Sequence, residues 1–249
     1  MDDLIAWFRG LDWLANALGV LVPVGGVGAL VWRWQRRKAG IPQSFTAFVT
    51  ATLKSSPVAD TLKQVGRIAI VDDNISDFPV ADLKRAGYDI KTYKHVSVSE
   101  FDEISTYDIV FLDMLDIVKD DPTEGGLKLI QTLRSRNPRQ KICAVSSKKF
   151  DPAATAFFKQ ADDAQNKPMS AQKCVQVIDT FLSEKLDPHS LARELDTTAE
   201  LYSSERRMVL SQLKQSTSKK ELLPATHLPR ELKTLPRSLA LDLSRVLIV

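Results

Sequence analysis

Five side chains in the middle of this 249-residue chain carry groups suited to chemistry at phosphorus. Asp72 and Asp73 stand side by side; Asp113, Ser146 and Lys167 follow in that order. Carboxylates crowded together raise one another's pKa unless a cation neutralises them. A hard divalent ion such as Mg²⁺, held by one or two carboxylates, a carbonyl and waters, is the natural partner. A carboxylate with a free oxygen beside such an ion is a nucleophile toward phosphorus. A hydroxyl (Ser146) and an ammonium (Lys167) then stabilise the phosphoryl oxygens. Taken singly these residues mean little. An aspartate after a strand often only caps a helix, Ser146 reads as a loop serine and Lys167 as a surface lysine. Convergence alone would make them a site.

The surrounding pattern supplies a reason to converge. Arg67-Ile-Ala-Ile-Val71 is a short apolar run ending in Asp72 and Asp73. Asp108-Ile-Val-Phe-Leu112 ends in Asp113, and Lys141-Ile-Cys-Ala-Val145 ends in Ser146 and Ser147. Short, wholly apolar runs suit strands buried on both faces of a parallel sheet. Between and after them lie helical spacings: Leu127, Ile130 and Leu133, then Cys174, Ile178, Phe181 and Leu182. This is the strand–helix alternation of an open α/β sheet. Sites in such sheets form beyond the carboxyl ends of the strands, where all three runs place acidic or hydroxyl groups.

On these residues the segment 66–185 resembles the receiver domain of two-component response regulators. The acidic pair Asp72-Asp73 follows the first strand and the acceptor Asp113 the third. Ser146 with a small neighbour, Ser147, follows the fourth. Lys167-Pro168 follows the fifth, preceded by the family-like stretch Ala161-Asp162-Asp163. The resemblance implies a flavodoxin-like, doubly wound five-stranded parallel sheet. It implies that Asp113 takes a phosphoryl group from a histidine kinase or phosphotransfer protein. It implies Mg²⁺ held by Asp73, Asp113 and the carbonyl of Leu115, with Asp72 acting largely through water. Ser146 and Lys167 would hold the phosphoryl oxygens, and the Lys167-Pro168 peptide would be cis. No turnover of an external substrate is expected; the output is control of a protein partner. Three departures stand out. Ala164 occupies the position of the usual aromatic switch residue. The stretch Ala164-Gln165-Asn166 is too polar for a well-packed fifth strand. The loop 114–124 is long and carries Asp116, Asp120 and Asp121, which reads mainly as a solvated loop.

The amino-terminal end has a different character. Trp13 to Trp32 is 20 residues without a charge, about 30 Å of helix, the thickness of a bilayer's hydrocarbon core. Trp13 at one end and Trp32 and Trp34 at the other suit the two interfaces. Asp2, Asp3 and Asp12, against a lone Arg9, precede the run, and Arg33, Arg36, Arg37 and Lys38 follow it. The positive-inside rule then predicts an inner or plasma membrane anchor over 1–38, with the amino terminus outside and the rest cytoplasmic. Residues 39–65 read as a juxtamembrane linker, with a helix capped by Ser44 whose apolar positions are Phe45, Phe48, Val49 and Leu53.

Residues 186–249 read as a mostly helical, irregular tail broken by Pro224, Pro229 and Pro236. The tail shows no compact helix-turn-helix pattern, which disfavours a membrane-tethered transcription factor. With 34 basic and 31 acidic residues, net +3, no nucleic acid partner is expected from bulk charge. Two cysteines, Cys143 and Cys174, exclude a disulfide scaffold. Three histidines without ligand spacing give no His-built metal site. A haloacid-dehalogenase-type phosphatase needs an aspartate two residues after the nucleophile, where Leu115 stands. A degenerate receiver, serving as a phosphorylation-independent membrane-bound interaction platform, remains the alternative reading.

Overall fold

Five parallel strands, β1 (Arg67–Val71), β2 (Asp89–Tyr93), β3 (Ile109–Asp113), β4 (Lys141–Ser146) and β5 (Asp163–Asn166), form one sheet in the order β2-β1-β3-β4-β5. The computed structural model describes residues 44–53, 59–147, 156–198, 203–224, 228 and 237–248. The expected membrane span 13–32 lies outside them. Among the described residues no helix is long and apolar enough to cross a membrane.

The apolar runs are strands because both faces are covered, so neither pleat position tolerates a polar side chain. Ala69, Val71, Val110, Leu112, Ile142 and Ala144 face one side. They pack with Phe101 and Ile104 of α4 (Phe101–Ile104) and with Leu129, Ile130 and Leu133 of α5 (Gly125–Arg136). Ile68, Ile70, Ile109, Phe111, Cys143 and Val145 alternate with them and are fully buried. Phe78 meets Phe111 edge-on at 5.9 Å. On this side lie α2 (Ala59–Val65), α3 (Val80–Arg85) and α6 (Ala171–Leu186). Helix α6 starts where Ser170 Oγ accepts from the Lys173 N–H, and it buries Cys174, Val177, Ile178, Phe181 and Leu182 at helical spacing. The fifth strand is four residues long with no buried position, as its polar composition predicts. Both cysteines are free and buried; burial pushes the Cys174 thiol up to about 11, so neither is a reactive thiolate.

The helices outside the sheet pack into the same compact unit, residues 45–249. Helix α1 (Phe45–Thr52), within the segment read as a linker, buries Phe45, Phe48 and Val49 and packs on α7 (Pro188–Thr198). The N–H groups of Phe45 and Thr46 donate to the Asp196 carboxylate at 2.8 and 2.9 Å. A residue 150 positions away thus takes part in capping this helix. Helix α8 (Ser203–Lys219) and helix α9 (Arg237–Ile248) complete the unit. Helix α9 packs on α2, α6, α7 and α8 and buries Leu239, Ala240, Leu243 and Val246.

Loop 114–124 departs from the expectation of a solvated loop. Ile117 and Val118 are buried, and Val96 pairs with Val118 in an isolated parallel bridge. The Val96 N–H donates to the Ile117 carbonyl at 2.7 Å, and the Lys119 N–H returns to the Val96 carbonyl at 3.0 Å. The charged positions drew attention in the sequence, but the two aliphatic residues between them anchor the segment. Asp116 turns the loop with φ +55°, and its N–H donates to the Pro122 carbonyl; aspartate tolerates this left-handed region better than most residues. Gly126 then has to be glycine, because a Cβ there would lie 2.1 Å from the Met114 carbonyl oxygen. Gly126→Ala is expected to cost about 3 kcal/mol of stability through overpacking against backbone. Urea denaturation monitored by circular dichroism checks this; an unchanged midpoint would refute the close approach.

Candidate functional site

Strand register alone brings the site residues to one rim. Val71 is level with Leu112, so Asp72 is level with Asp113. Asp113 is level with Val145, which puts Ser146 one step beyond; Ser146 is level with Asn166, so Lys167 comes next. The sheet order reverses direction between β1 and β3, the switch point at which open α/β sheets leave a crevice. Asp72, Asp73 and Asp113 stand at that crevice, with one oxygen of each within 4.8 Å of the others.

Lys167 occupies the middle. Its Nζ is 2.6 Å from Asp113 Oδ2 and 2.6 Å from Asp72 Oδ2, with the ammonium almost fully buried. The contact with Asp113 is a hydrogen bond. That with Asp72 is a close ion pair whose geometry leaves the buried Oδ2 without a directed hydrogen bond. Asp72 Oδ1 accepts from the Asn74 N–H at 2.9 Å, and Asp113 Oδ1 from the Met114 N–H at 2.7 Å. Each carboxylate therefore has one oxygen fixed by its own turn and the other facing the crevice. The Lys167 N–H donates to the Ser146 carbonyl at 3.1 Å, which ties the lysine's turn to the end of β4. The Lys167-Pro168 peptide is cis, as the resemblance implied.

Burial pushes the Asp72 and Asp113 carboxyls above the ordinary aspartate range, and Lys167 only partly offsets it. Burial pulls on the Lys167 ammonium in the opposite sense; hydrogen bonds and charge from Asp113 and Asp72 outweigh it and raise its pKa. Two buried acids held above their usual range by burial, with a third alongside and a single ammonium between them, describe a donor set short of positive charge. An oxygen-seeking divalent cation fits it.

The structure thus brings together Asp72, Asp73, Asp113, Ser146 and Lys167, all on the rim expected of them. Leu115 lies two residues past Asp113 in the loop, its side chain packed against the sheet's core cluster. His95 is exposed, and its Nδ1 is 2.8 Å from the Asp116 carbonyl oxygen.

The opposite rim holds a charged cluster that no motif or spacing singles out. Asp108, just before β3, is almost fully buried. It accepts from Lys185 Nζ at 2.7 Å, from the Arg245 guanidinium at 2.8 and 3.1 Å, and from the Arg67 N–H at 2.9 Å. Burial would raise this carboxyl, but Arg245 and Lys185 hold it well below the usual range. Arg245 also donates to the Val65 carbonyl and lies 3.3 Å from Asp242. Asp108 had been read only as the first residue of an apolar run, and nothing in its spacing points to Lys185 or Arg245.

The strand order and connections are those of the flavodoxin-like, receiver-type fold. No family model matches the sequence, and no curated protein matches it. Among solved structures the chain is similar to a BeF3-activated DrrB receiver domain, at 20% identity and a TM-score of 0.39 over 47% of this chain and 97% of that one. It is similar to a CheY-like response regulator receiver domain protein from Methanospirillum hungatei, at 20% identity and 0.40 over 48% and 95%. It is also similar to NtrX from Brucella abortus, at 20% identity and 0.42 over 62% of this chain and 34% of that one.

Proposed function

We propose that this chain is a membrane-anchored receiver that accepts a phosphoryl group on Asp113 and thereby controls a protein partner. The observation that carries this reading is the position of Lys167, bridging Asp113 and Asp72 at the crevice between β1 and β3 with Asp73 alongside. In the transfer, an oxygen of Asp113 forms the new P–O bond while the P–N bond of a kinase or phosphotransfer phosphohistidine breaks. The bonding electron pair stays on the imidazole nitrogen, which takes up a proton. The product is an acyl phosphate. Lys167 is placed to donate to a phosphoryl oxygen on Asp113, and the Ser146 hydroxyl, from the next strand, to another. Asp73, Asp113 and the Leu115 carbonyl would hold Mg²⁺, with Asp72 acting through water; the ion supplies positive charge against the incoming phosphoryl oxygens.

The test is incubation of the purified chain with acetyl phosphate and Mg²⁺, read by intact mass. One added phosphoryl group per chain is expected. No uptake, with the fold intact, leaves the phosphorylation-independent platform as the better reading. The absence of an aromatic at Ala164 favours that second reading to one extent only: the usual aromatic switch cannot report phosphorylation here, so output has to run through another element. Loop 114–124, continuous with the acceptor and pinned to the segment after β2, is placed to do so.

The anchor is part of the same proposal. Protease added to intact cells should leave residues 66–249 uncut, and permeabilised cells should lose them. Cleavage from outside would reverse the orientation.

A further inference from the structure

A cleft of about 670 Å³ lies at the base of the sheet, on the rim opposite Asp113. Its walls are the start of β1, the turn before β3, the turn from α5 into β4, the end of α6 and one side of α9. The volume falls within the roughly 300–1,000 Å³ typical of small-molecule sites. Five cationic side chains line it: Arg67, Arg136, Arg139, Lys185 and Arg245. They face three carboxylates, Asp108, Glu194 and Asp242. Two positive charges are in excess.

The charges divide into two groups. Asp108, Lys185 and Arg245 form the buried cluster already described, and their bonds to one another occupy them. Arg67, Arg136 and Arg139 are held by weaker ties. Arg67 donates to the Thr106 carbonyl from an exposed position. Arg136 pairs with Asp102, which lies outside the cleft and is itself exposed; such surface pairs contribute under about 1 kcal/mol. Arg139 pairs with the half-exposed Glu194 and donates from its other terminal nitrogen to the Lys185 carbonyl at 3.2 Å, while its buried Nε has no hydrogen-bond partner. A buried guanidinium donor without an acceptor is costly unless a ligand or water meets it. Beside these cations the wall is apolar, from Pro138, Leu239 and Leu241.

We propose that this cleft binds a small organic phosphate, a phosphate monoester on an apolar or aromatic body, with Arg67, Arg136 and Arg139 around the phosphate and Pro138 and Leu241 against the body. The excess of two charges matches the near-dianion that a phosphate monoester carries at pH 7. Arginine forks suit its planar pairs of oxygens. A carboxylate or sulfate ester brings a single charge and leaves one cation unmatched. The site is independent of Asp113 and its chemistry.

The test is calorimetric titration of the purified full chain with three probes, a chelator being present so that the acidic rim holds no metal-bound phosphate. Phenyl phosphate should bind saturably at one site. Phenyl sulfate, with the same body and one charge, and inorganic phosphate, with the charge and no body, should each bind at least tenfold more weakly. Ser238→Glu is the decisive variant. Ser238 is exposed on the cleft wall in the first turn of α9, where a glutamate is favourable to the helix. It should weaken phenyl phosphate binding at least tenfold while the melting temperature holds or rises. Arg67→Gln should weaken it about fivefold. Absence of saturable phenyl phosphate binding, equal affinity for phenyl sulfate, or full affinity in Ser238→Glu would each overturn the proposal.

Discussion

Asp113→Asn abolishes phosphoryl uptake from acetyl phosphate while leaving the fold intact: this is the largest effect expected of any single substitution in the chain. The amide is nearly isosteric, and its single oxygen can still accept either from Lys167 or from the Met114 N–H, which the carboxylate meets with separate oxygens. It has no anionic oxygen to form the bond to phosphorus. Removing one buried carboxylate next to another also relieves like-charge repulsion on its neighbours, so stability should hold. Asp73→Ala acts differently, through the metal. Loss of outer-sphere partners costs metal sites roughly 10–100-fold in affinity, and loss of a direct ligand should cost at least the upper end. Labelling by Asp73→Ala should therefore need roughly 100-fold more Mg²⁺ for the same extent. Intact-mass measurement across a Mg²⁺ series separates the two variants. Labelling that survives in Asp113→Asn would show that the acceptor lies elsewhere.

Asp108→Asn should produce the largest loss of stability outside the apolar core. The substitution leaves Lys185 and Arg245 facing a neutral group, with Lys185 almost fully buried. Removing one member of a buried ion cluster costs about 3–5 kcal/mol. The Arg245 side chain is 20% exposed, so solvent screens part of the cost and about 3 kcal/mol is expected. For a unit of this size that is a fall of roughly 6–12 °C in melting temperature. The pH dependence has a definite sign. The folded-state pKa of Asp108 is depressed below its ordinary 3.8. Its contribution is therefore fully present above about pH 4 and is lost as pH falls through the lower folded value. The gap between the parent and Asp108→Asn should be constant from pH 7 to pH 5 and narrow progressively below pH 4. Urea denaturation at a series of pH values reads it; a gap that widens on acidification would contradict the assignment.

What the sequence revealed depended on the range of the interaction. Asp72, Asp73, Asp113 and Ser146 were legible because each directly follows an apolar run, and a parallel sheet brings such ends to one rim. Lys167 was legible through its partner Pro168. Strand β2, Asp-Ile-Lys-Thr-Tyr, passed unmarked: as an edge strand it buries only Ile90 and Tyr93, and its polar alternation resembles a loop. Loop 114–124 misled because charge is conspicuous, whereas Ile117 and Val118 become anchors only once Val96 stands beside them. The capping of α1 by Asp196 and the pairing of Asp108 with Lys185 and Arg245 join residues 77 to 151 positions apart. No local pattern encodes such partners; only the closed fold does.

The clamp beneath β3 also bears on time rather than on equilibrium. Arg245 reaches across 137 residues to Asp108 and across 180 to the carbonyl of Val65. Contacts so distant in sequence require the closure of long loops before they return any free energy, so they are expected to form late, after the barrier to folding has been crossed. Interactions absent from the transition state act almost entirely on the unfolding rate. Arg245 is thus expected to act as a brake on the release of β3: it should prolong the life of the folded unit without hastening its formation.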